Sequence, residues 1–108
     1  MTEPSGIIAE CLAYLEAVER KMARTPAKVP PPEGVANYLL QHFGEAVVAL
    51  FADYLVGQGD QGPGWKTQAA ILYLGRVSDP AAAEALQRFA AATARDDYRE
   101  LAAAQKLL

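Results

Sequence analysis

Residues 65–80 read Trp65-Lys66-Thr67-Gln68-Ala69-Ala70-Ile71-Leu72-Tyr73-Leu74-Gly75-Arg76-Val77-Ser78-Asp79-Pro80, and this run decides the fold class. Ala69, Leu72, Tyr73 and Arg76 fall along one helical row with Ile71 and Leu74 beside it. A helix over about Trp65–Arg76 is therefore apolar around much of its girth. Val77-Ser78-Asp79-Pro80 then reads as a short turn. Ser78 or Asp79 can cap the following helix, and Pro80 sits at the first helical position, where its missing amide costs nothing.

The same reading extends in both directions. Downstream, a fifth helix over about 80–94 buries Ala82, Ala85, Leu86, Phe89 and Thr93. A sixth, capped by Asp96 or Asp97, carries the apolar row Tyr98, Leu101, Ala102 and Leu108. Upstream, residues 57–64 hold four glycines and a proline and form a loop. Before it, Val47, Val48, Leu50, Phe51, Tyr54 and Leu55 make a broad stripe on a third helix from about Glu45 to Val56. A short second helix spans Val35 to Phe43, with Gly44 marking its end. The stretch 25–34, with Pro26, Pro30, Pro31 and Pro32, is a stiff connector, because proline lacks the amide donor and disfavours helical geometry in its predecessor. The alternative reading of that stretch is a polyproline ligand for an aromatic groove. Ile7, Ile8, Cys11, Leu12, Leu15, Val18 and Met22 define a first helix over about 5–24, acidic early and basic late as the helix dipole prefers. Its basic end, Arg20, Lys21, Arg24 and Lys28, reads either as a solvated terminus or as a binding patch.

Composition agrees with this pattern. Alanine dominates and leucine follows, and 108 residues suit one domain with one core. The expectation is one all-α domain of five to six helices: an N-terminal helix (5–24), a proline-rich connector (25–34) and helical hairpins (35–108).

Charge and cysteine content narrow the function. The net charge is −3, without the positive field that phosphate binding uses, so no nucleic-acid partner is expected. Between Val29 and Trp65 lie Glu33, Glu45, Asp53 and Asp60 and no lysine or arginine, which makes the middle of the chain acidic. Cys11 is the single cysteine, so an intramolecular disulfide or a multi-cysteine metal site is excluded and a reducing, cytoplasmic setting is expected. Glu3 and Pro4 stand where a signal peptide needs positive charge, and no apolar run approaches the ~20 residues that span a bilayer. No membrane partner is expected.

A repeat is visible. Trp65-Lys66-Thr67-Gln68-Ala69-Ala70 and Tyr98-Arg99-Glu100-Leu101-Ala102-Ala103 align at an offset of 33 residues as aromatic, basic, polar, variable, Ala, Ala. Together with Ile71-Leu72-Tyr73-Leu74-Gly75, Asp79-Pro80, Ala85-Leu86 and Asp97, these residues make about 45–108 resemble a HEAT-like repeat, a short α-solenoid unit. The resemblance implies stacked helical hairpins in which the paired alanines allow close helix contact. It also implies that Asp97 and Arg99 bridge neighbouring repeats, with Lys66 at the position equivalent to Arg99 in the earlier unit. The long glycine loop and residues 1–43 depart from the pattern, and an irregular helical bundle is the alternative architecture.

No catalytic, cofactor or metal site emerges from the side chains. Gly59-Asp60-Gln61-Gly62-Pro63-Gly64-Trp65-Lys66-Thr67 imitates a phosphate-binding loop, but Trp65 separates glycine from Lys-Thr, Pro63 removes an amide donor, and a helix precedes it. His42 is the single histidine and reads as a helix-end residue. Cys11, on an apolar stripe, reads as a small hydrophobe. Asp53 reads as an ion-pair member at the edge of an apolar helix. Trp65, beside the glycine loop, is either a lid on the core or an interaction anchor.

The expected function is a non-enzymatic protein–protein interaction module, an adaptor, inhibitor or immunity-type regulator, or assembly subunit. Glu45, Asp53, Trp65 and Tyr73 are the candidate contact residues. The alternative is a small-molecule or accessory enzymatic domain with a pocket between helices 3 and 4 lined by Tyr54, Trp65 and Tyr73. A homo-oligomer stacking through the C-terminal helix at Leu107-Leu108 is a third expectation.

Overall fold

The computed structural model describes residues 4–25 and 31–106. The chain is all-α, with α1 (Pro4–Arg24), α2 (Pro32–Phe43), α3 (Val48–Gln58), α4 (Gly64–Arg76), α5 (Pro80–Ala92) and α6 (Asp96–Lys106), and no strand among the described residues. Residues 26–30 of the connector, and Leu107 and Leu108 with the oligomer contact expected there, lie outside the described residues.

Three boundaries differ from the periodicity reading, each for a local reason. α2 begins at Pro32, three residues before Val35, because Pro31 is extended (φ −65°, ψ 163°) and Pro32 occupies the first turn, where no amide is needed. The connector is shorter accordingly. α3 begins at Val48, three residues after Glu45, because Gly44 turns the chain with φ +58° and residues 44–47 form successive turns. α3 then continues through Gly57 to Gln58, which confines the glycine loop to residues 59–63.

Acidic side chains account for two other ends. Asp79 is the N-cap of α5, its carboxylate accepting from the Ala81 amide at 2.8 Å, with Pro80 in the first turn. Asp96 and Asp97 fall inside the first turn of α6 rather than before it. There they oppose the partial positive charge of the helix N-terminus.

Five helices form two layers. α3 packs on α5 in one layer; α2, α4 and α6 lie side by side in the other; α3 with α4 and α5 with α6 join the layers. α3 with α4 and α5 with α6 thus pair as hairpins, and the equivalent helices of these two hairpins are neighbours. α4 lies between α2 and α6, which is why its apolar girth is so wide: Ala69, Ala70, Ile71, Tyr73 and Leu74 are all buried. One core cluster draws on all six helices.

Polar ties fix the loops to this stack. The buried Thr67 hydroxyl donates to the Gly59 carbonyl at 2.7 Å and lies 2.9 Å from the Tyr54 hydroxyl, holding the α3–α4 loop against α4. The Asp60 carboxylate accepts from the Thr93 hydroxyl and, at 2.9 Å, from the Ala94 amide, holding the same loop to the end of α5. Arg76 donates to Glu33 at 3.1 Å and to Asn37, joining α4 to α2.

α1 lies against this stack on one side. Cys11, Leu15 and Val18 enter the core. Tyr14 stacks on Tyr38 of α2 with ring centroids 3.9 Å apart and an interplanar angle of 7°.

A candidate interaction groove beside α1

At 100° per residue, the buried centre of α1 passes through Cys11, Val18 and Leu15, and Tyr14 lies on the flank toward α2. The opposite flank carries Ile8, Leu12, Glu16 and Glu19. Ile8 is 36 % exposed and Leu12 42 % exposed, although both belong to the apolar stripe. From Leu12 to Glu19 this flank forms one wall of a groove whose other wall is α3 and the first turn of α4.

The groove consists of two adjoining clefts of about 270 Å³ each. The first is lined by Leu12 and Leu15 of α1, by Leu50, Phe51, Asp53, Tyr54 and Gln58 of α3, and by Lys66 of α4. The second continues along α1 between Leu12, Leu15, Glu16 and Glu19 on one side and Trp65 and Lys66 on the other. Leu12, Leu15 and Lys66 border both.

The electrostatics are uneven. Lys66 is half-buried with its ammonium 4.6 Å from the centre of the Tyr54 ring, a cation–π contact. Asp53, Glu16 and Glu19 are exposed, and none belongs to an ion pair among the described residues. Three carboxylates therefore stand around an apolar floor that holds one cation.

The structure separates the four candidate contact residues. Asp53 and Trp65 lie on the groove, Asp53 at its α3 rim and Trp65 as a half-buried wall against the core. Tyr73 is a correction: it is fully buried, its ring 5.4 Å from Phe51 and its hydroxyl donating to the Gly44 carbonyl at 2.6 Å. Burial pushes its phenol up to about 12. No partner reaches it without unfolding α4. Glu45 is exposed but employed, since its carboxylate accepts from the Ser78 amide at 3.2 Å and holds the α4–α5 turn.

Asp97 and Arg99 act within the last hairpin. Asp97 receives two hydrogen bonds from Arg95, at 3.1 and 2.7 Å, which hold its carboxyl below the usual range. Arg99 donates to the carbonyls of Thr93 at 2.8 Å and Ala90 at 3.3 Å, satisfying acceptors left open at the end of α5, and to Asp96.

The pocket expected between α3 and α4 takes a different form. Of Tyr54, Trp65 and Tyr73, the first two border the groove beside α1 and the third points into the core. The residues that sequence reasoning missed are Leu12, Leu50, Lys66, Glu16 and Glu19. Leu12 was legible only as one member of a stripe too wide for a single buried face.

The remaining chemistry-bearing side chains have internal roles. Cys11 is buried, which pushes its thiol up to about 11 and leaves it protonated and inert at neutral pH. His42 stacks on Tyr38 at 3.9 Å. Among the described residues no three His, Cys, Asp or Glu side chains cluster as metal ligands, and no helix is long and apolar enough to cross a membrane. In comparisons with protein-family models, curated proteins and solved structures, nothing matches the chain.

Proposed function

We propose that the chain is a non-enzymatic protein–protein interaction module, a short HEAT-like stack of hairpins that engages its partner, in a reducing cytoplasmic setting, through the groove beside α1. Adaptor, inhibitor or immunity-type regulator, and assembly subunit are the roles that fit. The observation that carries this reading is the exposed apolar flank of α1. Leu12 remains in contact with solvent on the groove beside Leu50, and Ile8, one turn earlier on the same helix, is also exposed, so burial against a partner would remove apolar surface from water. Trp65 and Tyr54 border the same groove, and aromatic side chains of this kind anchor interfaces.

The small-molecule reading is the weaker one. Each cleft is open to solvent and slightly below the roughly 300–1,000 Å³ of pockets that enclose a ligand. Its polar groups line the rim rather than converge on one point.

The test is affinity capture from host lysate with the parent protein and with Leu12→Glu, followed by mass spectrometry. A protein retained by the parent in stoichiometric amount and lost with Leu12→Glu supports the groove as the interaction surface. Equal retention by both moves the interface elsewhere. No retained protein, with the parent monomeric by light scattering, overturns the interaction reading in favour of a ligand.

A further inference from the structure

The walls of the groove specify more than an apolar contact. From Leu12 to Glu19 the α1 wall rises seven residues, and from Leu50 to Gln58 the α3 wall rises eight, so each is about 10–12 Å long, or two helical turns. Two clefts of about 270 Å³ in a row suit successive side chains from one face of a helix better than one compact molecule. Extended pairing offers nothing here, because both walls are helices whose backbone amides and carbonyls bond internally.

Charge then selects among helices. Glu16 and Glu19 stand along one wall and Asp53 along the other, exposed and outside every ion pair among the described residues. Lys66, the one cation lining either cleft, is held over the Tyr54 ring. A helix lying between these walls presents its apolar residues to Leu12, Leu15 and Leu50 and its flanking positions to the carboxylates. Basic flanks are attracted and acidic flanks repelled.

We infer that the groove between α1, α3 and the start of α4 receives an amphipathic helix of a partner protein, with apolar residues at three- and four-residue spacing and lysine or arginine on both flanks. This rests on the interaction reading above and adds the chemistry of the occupant.

The probe is a synthetic peptide of ~14 residues, about four helical turns, with leucines at three- and four-residue spacing and lysines beside them. A counterpart carries glutamates in place of the lysines. Both are titrated into the intact chain, following the emission of Trp65, the single tryptophan, which borders the groove. The lysine peptide is expected to shift the emission saturably. Leu12→Glu is expected to weaken it at least tenfold, and the exposed double variant Glu16→Lys/Glu19→Lys several-fold, with circular dichroism confirming that both variants fold. The glutamate peptide is expected to bind at least tenfold more weakly than the lysine peptide. Equal affinity for the two peptides, binding indifferent to both variants, or no binding overturns the basic-helix occupant.

The same peptide is then added to the capture experiment. Release of the Leu12-dependent protein supports the proposal. Retention of that protein removes the basic helix as occupant while leaving the interaction module standing. Proteins captured equally by the parent and Leu12→Glu remove the groove and its helix but leave the module, whereas a lysate from which the parent retains nothing removes both.

Discussion

Gly57 and Gly59 stand two residues apart at the end of α3, and alanine at each is expected to move stability in opposite directions. Gly57 is helical and exposed, and a Cβ added there meets nothing within 4 Å. Removing glycine's freedom in the unfolded chain stabilises such a site by roughly 0.4–1 kcal/mol. Gly59 also has right-handed helical backbone, φ −55° and ψ −42°, so alanine gains the same contribution. Its Cβ, however, runs into the Phe89 ring and stands 2.7 Å from the Leu55 carbonyl oxygen. Phe89 is buried beside Tyr98, ring centroids 6.0 Å apart, and cannot retreat without repacking α5 against α6. Overpacking of this kind costs about 1–3 kcal/mol, which outweighs the backbone gain. At roughly 4–8 °C per kcal/mol for a domain near this size, the two variants should differ in Tm by on the order of 10 °C, with Gly57→Ala above the parent and Gly59→Ala below it. Thermal melts by circular dichroism measure this directly. Urea midpoints with an unchanged slope exclude an altered denatured state. Phe89→Leu, destabilising alone, should cost less in the Gly59→Ala background, because the smaller side chain relieves the contact. A Gly59→Ala protein as stable as Gly57→Ala would refute the close approach of α5 to this loop.

Other consequences follow from the polar ties and the groove. Thr67→Val keeps the shape of a buried side chain but leaves the Gly59 carbonyl and the Tyr54 hydroxyl without their partner. A loss of about 1–3 kcal/mol is expected in urea unfolding, and a neutral outcome would mean that water replaces the hydroxyl. Hydrogen bonds from Thr93 and Ala94 hold the Asp60 carboxyl below the usual aspartate range. Its contribution is therefore complete above the unfolded value and lost as pH falls through the lower folded value. The parent Tm should fall more steeply than that of Asp60→Asn as pH drops below about 4, and parallel curves would exclude this tie. Glu45→Lys should lower the Tm, because the Ser78 amide loses its acceptor, whereas Asp53→Lys should leave the Tm in place and weaken partner binding. Equal melting of the two variants would contradict the role of Glu45.

The architecture was largely legible because its signals are local. Apolar residues at three and four spacing located every helix. Asp79-Pro80 fixed the start of α5, since a carboxylate before a first-turn proline satisfies an amide that nothing else reaches. The start of α2 was missed because the proline run reads as a breaker until one proline is known to sit at the first helical position. The start of α3 was missed because Glu45 suits a helical first turn by charge, while Gly44 turns the chain and the Ser78 amide that engages the Glu45 carboxylate lies 33 residues further on. The groove was the least legible feature. Tyr73 has the composition of an interface residue, yet α4 lies between α2 and α6 and no side of it near Tyr73 stays open. Leu12 is indistinguishable in sequence from Leu15, its neighbour on the same stripe. Which of the two meets the core depends on the rotation of α1 about its axis, and the stack of α2, α3 and α4 sets that rotation.

That rotation separates folding from binding on a single helix. α1 is held at its centre by Cys11, Leu15 and Val18 and on one flank by the Tyr14–Tyr38 stack, while the flank at Leu12 faces the groove. Leu15 is 5 % exposed, so Leu15→Ala opens a cavity and should cost about 2–5 kcal/mol. Leu12 is 42 % exposed, and Leu12→Glu lets a carboxylate swing into water from a site that is only partly apolar, at a cost of about 1–2 kcal/mol. An apolar stripe confined to folding would show similar losses at both positions. A stripe that extends beyond the fold shows a large loss at Leu15 and a small one at Leu12, and at Leu12 the missing contribution is to the complex. Unfolding of Leu12→Glu at the same temperature as Leu15→Ala would assign the whole stripe to the core and remove the physical basis for the groove.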